Sequence, residues 1–346
     1  MKMRARFIQV LVAVVIVGFV IATCTTGVTT RSYLATQNPG DVWTWSLNSD
    51  STFSATNEET GYTYSGDLDT LSSGFLKFTI QSTTDPGATV GDIAYGFEVP
   101  DTVLVIKPAG STDAIFGVAQ GPCPSSGTIN ANSIDIPRPG WTYSVDHAYS
   151  TVTAIITGST LEVSSDKYNL DGSLNSHEDS TGLTCADGRV TNPSSPSVAT
   201  MTPNGGYLVD SGSGNGGNFG MQAPVSDIVI SDVLASGREY RGILYKDINT
   251  PSEKSELIWA RPNGSGGLAG GQYTDIEAGT EDTVNAANII FNTQPVPGIY
   301  RASKTDGSGT TDILFVINRL SSKYMMFGIS IDPGTSQPQV FIAMER

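Results

Sequence analysis

Apolar and polar residues alternate in short runs along most of the chain. Examples are "WTWSL" (43–47), "TFSATN" (52–57), "FLKFTIQS" (75–82), "TVLVIK" (102–107), "TVTAIIT" (151–157), "TLEVSS" (160–165) and "QVFIAMER" (339–346). A period of two is the signature of half-buried β-strands. Between the runs stand turn formers: "TDPG" (84–87), "KPAG" (107–110), "NLDG" (169–172), "TDGSG" (305–309) and "IDPG" (331–334). The pattern predicts an all-β protein of hairpins. Helical periodicity is confined to "SDIVISDVLAS" (226–236), worth two turns.

These strands are arranged as two antiparallel β domains, each a soluble barrel or sandwich built from meanders. A glycine-rich stretch, "PNGGYLVDSGSGNGGNFGMQAP" (203–224), marks the boundary. The expected domains are residues 41–203 and 225–346, joined by a linker at 204–224. The halves resemble each other. "TVLVIKPAGSTDAIFGVA" (102–119) aligns with "ILFVINRLSSKYMMFGIS" (313–330), bringing Val105 to Val316 and Phe116–Gly117 to Phe327–Gly328. This is consistent with an internal duplication, although alternating sequences also match by chance. Runs of five to eight residues fall short of the roughly ten that a strand needs to cross a bilayer.

The amino end has a different character. Lys2, Arg4 and Arg6 precede an apolar stretch from Phe7 to Ala22. That is the layout of an export signal. As a helix the stretch spans about 24 Å, less than the ~30 Å hydrocarbon core. It ends in Ile21, Ala22, Thr23 and Cys24. These four residues resemble the lipobox of bacterial lipoprotein precursors. Thr23 departs from the Gly, Ala or Ser usual at its position. The resemblance implies a signal peptide over 1–23, cleavage before Cys24 and a lipid anchor on its thiol. Thr25, where an inner-membrane retention signal would often have Asp, implies the outer membrane. The alternatives are an uncleaved anchor and ordinary secretion. The polar residues 24–40 then read as a flexible tether.

Without the basic head, 34 acidic residues face 16 basic ones, a net charge of −18. Nucleic acid is a poor partner for such a surface. Of three cysteines, Cys24 is taken by the lipobox resemblance, which leaves Cys123 and Cys185. In an exported protein the remaining two form a disulfide.

Candidate chemistry is thin. "GSGNGG" (212–217) fits a dinucleotide loop, but no amphipathic helix follows to meet a pyrophosphate, so no cofactor is expected. Asn169 and Asp171 fall at positions 3 and 5 of a calcium-loop count from Lys167, which puts a cation where the first carboxylate belongs. Asp275 and Glu277 would share a strand face, suiting a cation or a glycosidase pair. Against these stand an Asp-Gly turn and a solvated acidic loop, so no metal site is assigned. His147 and His177 are too few for a zinc site. Trp43 and Trp45 share a strand face, as a sugar platform or as core. The sequence supports a non-enzymatic, lipid-anchored envelope protein, structural or ligand-binding, of unknown protein or glycan partner. The alternatives are a carbohydrate-binding protein or glycoside hydrolase, and a β-barrel that carries an apolar ligand.

Overall fold

The computed structural model describes residues 28–37, 41–109, 114–136, 147–194, 198–201, 206–210, 217–245, 256–262, 264, 268–269, 272–275, 280–283, 288–306, 309–320, 322–331 and 338–346. The fold is all-β, and it holds two closed eight-stranded antiparallel barrels and a third sheet of eight strands. The first barrel runs from β1 (Thr30–Gln37) and β2 (Asp41–Asn48) to β7 (Val103–Pro108) and β8 (Ile115–Ala119). Strand β1 pairs with both β2 and β8, which closes the ring. The second barrel consists of β9 (Gly127–Ile136), β10 (Tyr149–Thr157), β11 (Thr160–Tyr168), β12 (Leu174–Ala186), β13 (Arg189–Thr191), β14 (Val198–Met201), β15 (Gly206–Asp210) and β16 (Gly217–Gln222). It closes where β16 meets β9. The third sheet draws its strands from the chain between β17 (Tyr240–Tyr245) and β26 (Pro338–Glu345), which lie side by side in it, while Gln272–Asp275 and Thr280–Thr283 pair as a separate hairpin.

Two segments differ from expectation. Part of the expected tether, Thr30–Gln37, is β1, with Tyr33 to Thr36 all buried. Its sequence does not alternate because both faces are covered. One faces the barrel lumen, and β1 also packs against β15 of the second barrel. The expected linker, 204–224, contains β15 and β16, which complete the second barrel. Their glycines look like linker composition, yet each strand is short and paired on both sides. The expected helix is one turn, α1 (Ile230–Val233), capping the third sheet through Val233. No helix among the described residues is long and apolar enough to cross a membrane.

Alternation divides each wall into two apolar faces. In β7 and β8, Leu104, Ile106 and Ile115 point into the first barrel, where Trp43, Trp45, Phe53 and Phe78 fill the lumen. Val103, Val105, Phe116 and Val118 point out. They join Ile134, Tyr149 and Phe219 of the second barrel and Val316, Phe327 and Ile342 of the third sheet in one shared core. The resemblance between halves has a structural counterpart here. Val105 pairs with Phe116, and Val316 pairs with Phe327, in corresponding hairpins. The second of these is formed by β24 (Gly309–Leu320) and β25 (Lys323–Ile331).

Candidate functional site

The two barrels differ in what their inward positions carry. In the first, Trp45 stacks on Phe53 at 5.7 Å and meets Phe78 edge-on at 5.6 Å. Trp43 and Trp45 are therefore core, as their exposures of 7% and 5% show. The second barrel presents small residues inward: Ala131 and Ser133 on β9 and Ser150, Val152 and Ala154 on β10 line its lumen, and Gly220 on β16 shares their face by its pairing with Ser133. A lumen walled by such residues stays open. It holds a cavity of about 350 Å³, near the lower end of the ~300–1,000 Å³ of small-molecule sites.

One end of the lumen is apolar. Ile156, Leu161, Leu183, Val190 and Met201 gather there. The Cys123–Cys185 disulfide, with Cα atoms 6.0 Å apart, straps the connector between barrels across that end. Gly188 amide N–H donates to Cys123 Sγ at 3.3 Å. Gly188 has φ of +77°, and a Cβ there would lie 2.3 Å from the Gly121 carbonyl oxygen. The connector thus needs glycine at the turn it crosses.

The opposite end is polar. Lys167 Nζ lies 2.6 Å from Glu178 Oε1, with Glu178 largely exposed. Asp135 accepts from Asn218 Nδ2 and lies 2.7 Å from His147 Nε2. Between the ends sit Ser133, Ser150, Thr200 and Tyr207, whose hydroxyls are buried with no partner in hydrogen-bond geometry, the Ser133 hydroxyl facing the Tyr207 phenol. Burial pushes the Tyr207 phenol well above its ordinary range, with interaction with the Ser133 hydroxyl acting the other way.

The remaining sequence candidates lie elsewhere. Asn169 and Asp171 close the β11–β12 turn. Asp171 Oδ1 accepts from the Ser173 amide at 2.8 Å and from its hydroxyl at 2.6 Å. Asn169 Oδ1 accepts from Asn175 Nδ2 at 2.8 Å. The Arg301 guanidinium donates to the carbonyls of Leu170 and Asp171 at 2.7 and 2.6 Å, so a cation already occupies the turn. Asp275 ends a short strand, Gln272–Asp275, and its side chain lies outside the described residues, as does Glu277. Cys24, Trp141 and 212–216 also lie outside them, and Gly217 opens a strand rather than a helix. Trp259 is covered by the Arg261 guanidinium, 3.8 Å from its ring centre. No group of three metal-ligating side chains occurs among the described residues.

No protein-family model and no curated protein sequence matches the chain. Among solved structures it is similar to a protein of unknown function from Nostoc punctiforme, of the DUF3598 family. That match has a TM-score of 0.22 at 9% identity and covers 92% of this chain and 94% of the other. It is also similar to a double mutant of the vaccine antigen transferrin binding protein B from Haemophilus parasuis. There the TM-score is 0.23 at 8% identity, over 92% of this chain and 76% of the other. Similarity this slight assigns neither an activity nor a ligand.

Proposed function

We propose that this is a non-enzymatic, lipid-anchored protein of the bacterial cell envelope that holds a small ligand inside its second barrel. The contrast between the barrels carries the proposal. One chain builds the same eight-stranded wall twice. It fills one with aromatic rings and leaves the other with a cavity and four unpaired, buried hydroxyls, those of Ser133, Ser150, Thr200 and Tyr207. An unsatisfied buried polar group costs about 1–3 kcal/mol. A ligand that offers polar atoms to these hydroxyls and apolar surface to the apolar end removes that cost. The buried Trp43 and Trp45 give no support to a sugar platform in the first barrel.

The test is binding of the neutral fluorophore N-phenyl-1-naphthylamine to the purified chain. Its emission should rise and shift to the blue with wild type. An Ala154→Phe variant, which places a ring in the lumen, should lose that response while keeping its far-UV dichroism. Equal emission from both would end the proposal. The anchor is tested separately by a clickable palmitate in a bacterial host. Label should enter the wild type and not a Cys24→Ser variant.

A further inference from the structure

We infer that the ligand of the second barrel is an uncharged amphipathic molecule, gripped by a row of hydroxyls partway down the lumen and not by the charges at its mouth. The inference rests on the second barrel being the binding site. Its basis is the register of the wall. Tyr207 pairs with Gly220, Gly220 with Ser133, Ser133 with Ser150, and Ser150 with Lys167. One ladder row thus crosses β15, β16, β9, β10 and β11, and its inward side chains are Tyr207, Ser133, Ser150 and Lys167.

The row is built to converge. Neighbouring strands stand about 4.8 Å apart, so Ser133 and Ser150 are adjacent while Tyr207 starts two strands away. Gly220 bridges that distance. A Cβ on it would lie 2.4 Å from Tyr207 Cε1, so the phenol ring lies over the place where another residue would carry a side chain. Tyr207 is 5% exposed, Ser133 1% and Ser150 2%; the Ser133 hydroxyl faces the Tyr207 phenol, and none of the three hydroxyls has a partner in hydrogen-bond geometry.

The charges tell the opposite story. Lys167 is paired with Glu178, and Asp135 faces His147 and Asn218. An ionic ligand would have to break one of these pairs or enter the lumen without a counter-charge, and a buried unpaired ion costs several kcal/mol. Hydroxyls, which donate and accept, suit an alcohol, carbonyl or amide. Met201 pairs with Tyr207 and extends the row on β14, while Leu161 and Leu183, farther along β11 and β12 toward the disulfide, offer apolar surface, so the ligand's apolar part points to the disulfide end.

Competition against bound N-phenyl-1-naphthylamine tests this with three molecules of one chain length: 1-octanol, octanoate and octylammonium, at pH 7. Octanol should displace the probe from wild type at a concentration at least about tenfold lower than either ion. Ser133→Ala, Ser150→Ala and Tyr207→Phe should each weaken octanol by about three- to tenfold, the range of a single net hydrogen bond. The same changes should leave the ligand-free protein as stable to urea or more so, because each removes an unpaired buried hydroxyl. Octanoate or octylammonium competing as well as octanol would overturn the inference. So would unchanged octanol affinity in all three variants. A wild type that never binds the fluorophore would remove the site itself, a result distinct from either.

Discussion

His177 sits on the outside of the second barrel between two carboxylates. Its Nδ1 is 2.7 Å from Asp166 Oδ1 and its Nε2 3.3 Å from Asp179 Oδ1. Hydrogen bonds donated by the imidazolium to Asp166 and then to Asp179 favour the charged ring, so its pKa is raised above the ordinary 6.5. The sign of the linkage follows. A raised folded pKa stabilises the fold below about pH 6.5, and that contribution fades as pH rises through the folded value. With only two histidines in the chain, proton NMR can follow the His177 ring directly. The expected midpoint is above 6.5 in wild type and falls in Asp166→Asn, then further when Asp179→Asn is added. A wild-type midpoint at 6.5 would remove the pairing. The sequence placed His177 on a strand but could not pair it. Asp166 and His177 become neighbours only through the β11–β12 register.

Scaled up to the strands, the two barrels make opposite demands on the same substitution. Trp45→Ala in the first removes a ring that stacks on Phe53 and meets Phe78 edge-on and leaves a hole, which costs about 3–5 kcal/mol. Ala154→Leu in the second places extra methyl groups in open lumen. It should cost less than about 1 kcal/mol, against the roughly 1–3 kcal/mol of overpacking in a filled core. Urea titrations of the two variants check both, and a large loss for Ala154→Leu would mean that the lumen is already filled. Alternation made the strands legible in sequence, and counting cysteines made the Cys123–Cys185 bridge legible. Its closed loop, set by a sequence separation of 62, is worth about 4 kcal/mol in chain entropy. The hollow barrel was not legible, although its letters were in view. Ala131, Ser133, Ser150, Val152, Ala154 and Gly220 are unremarkable one strand at a time. Only the pairing of β16 with β9 and of β9 with β10 shows that the small residues line one lumen. The same holds for β1, where a fourfold buried run reads as irregular until a second barrel covers its outer face.

At the scale of the whole molecule, each pair of units is clasped by an arginine. Arg189 of β13 meets Glu58 of the first barrel through two contacts, 3.1 and 2.8 Å. Arg241 of β17 donates to the Gly74 carbonyl at 3.1 Å, with its guanidinium above Phe75. Arg301, which follows Tyr300 in the third sheet, holds the β11–β12 turn. Behind these clasps the shared core draws Val105 and Phe116 from one unit, Ile134 and Phe219 from another, and Val316 and Phe327 from the third. Phe219 lies 4.6 Å from Phe327 and 6.3 Å from Phe116, so a single ring touches both neighbours. No unit can leave without exposing its outer apolar face, at about 25 cal/mol for each Å² returned to water. The three should therefore unfold together. Tryptophan emission, with Trp43 and Trp45 inside the first barrel, and bound N-phenyl-1-naphthylamine, reporting on the second, should give coincident urea midpoints. Phe219→Ala should lower both midpoints by the same amount, since the ring belongs to all three units. Two separated transitions would show that the barrels are independent modules and that the shared core is a contact rather than a common nucleus of stability.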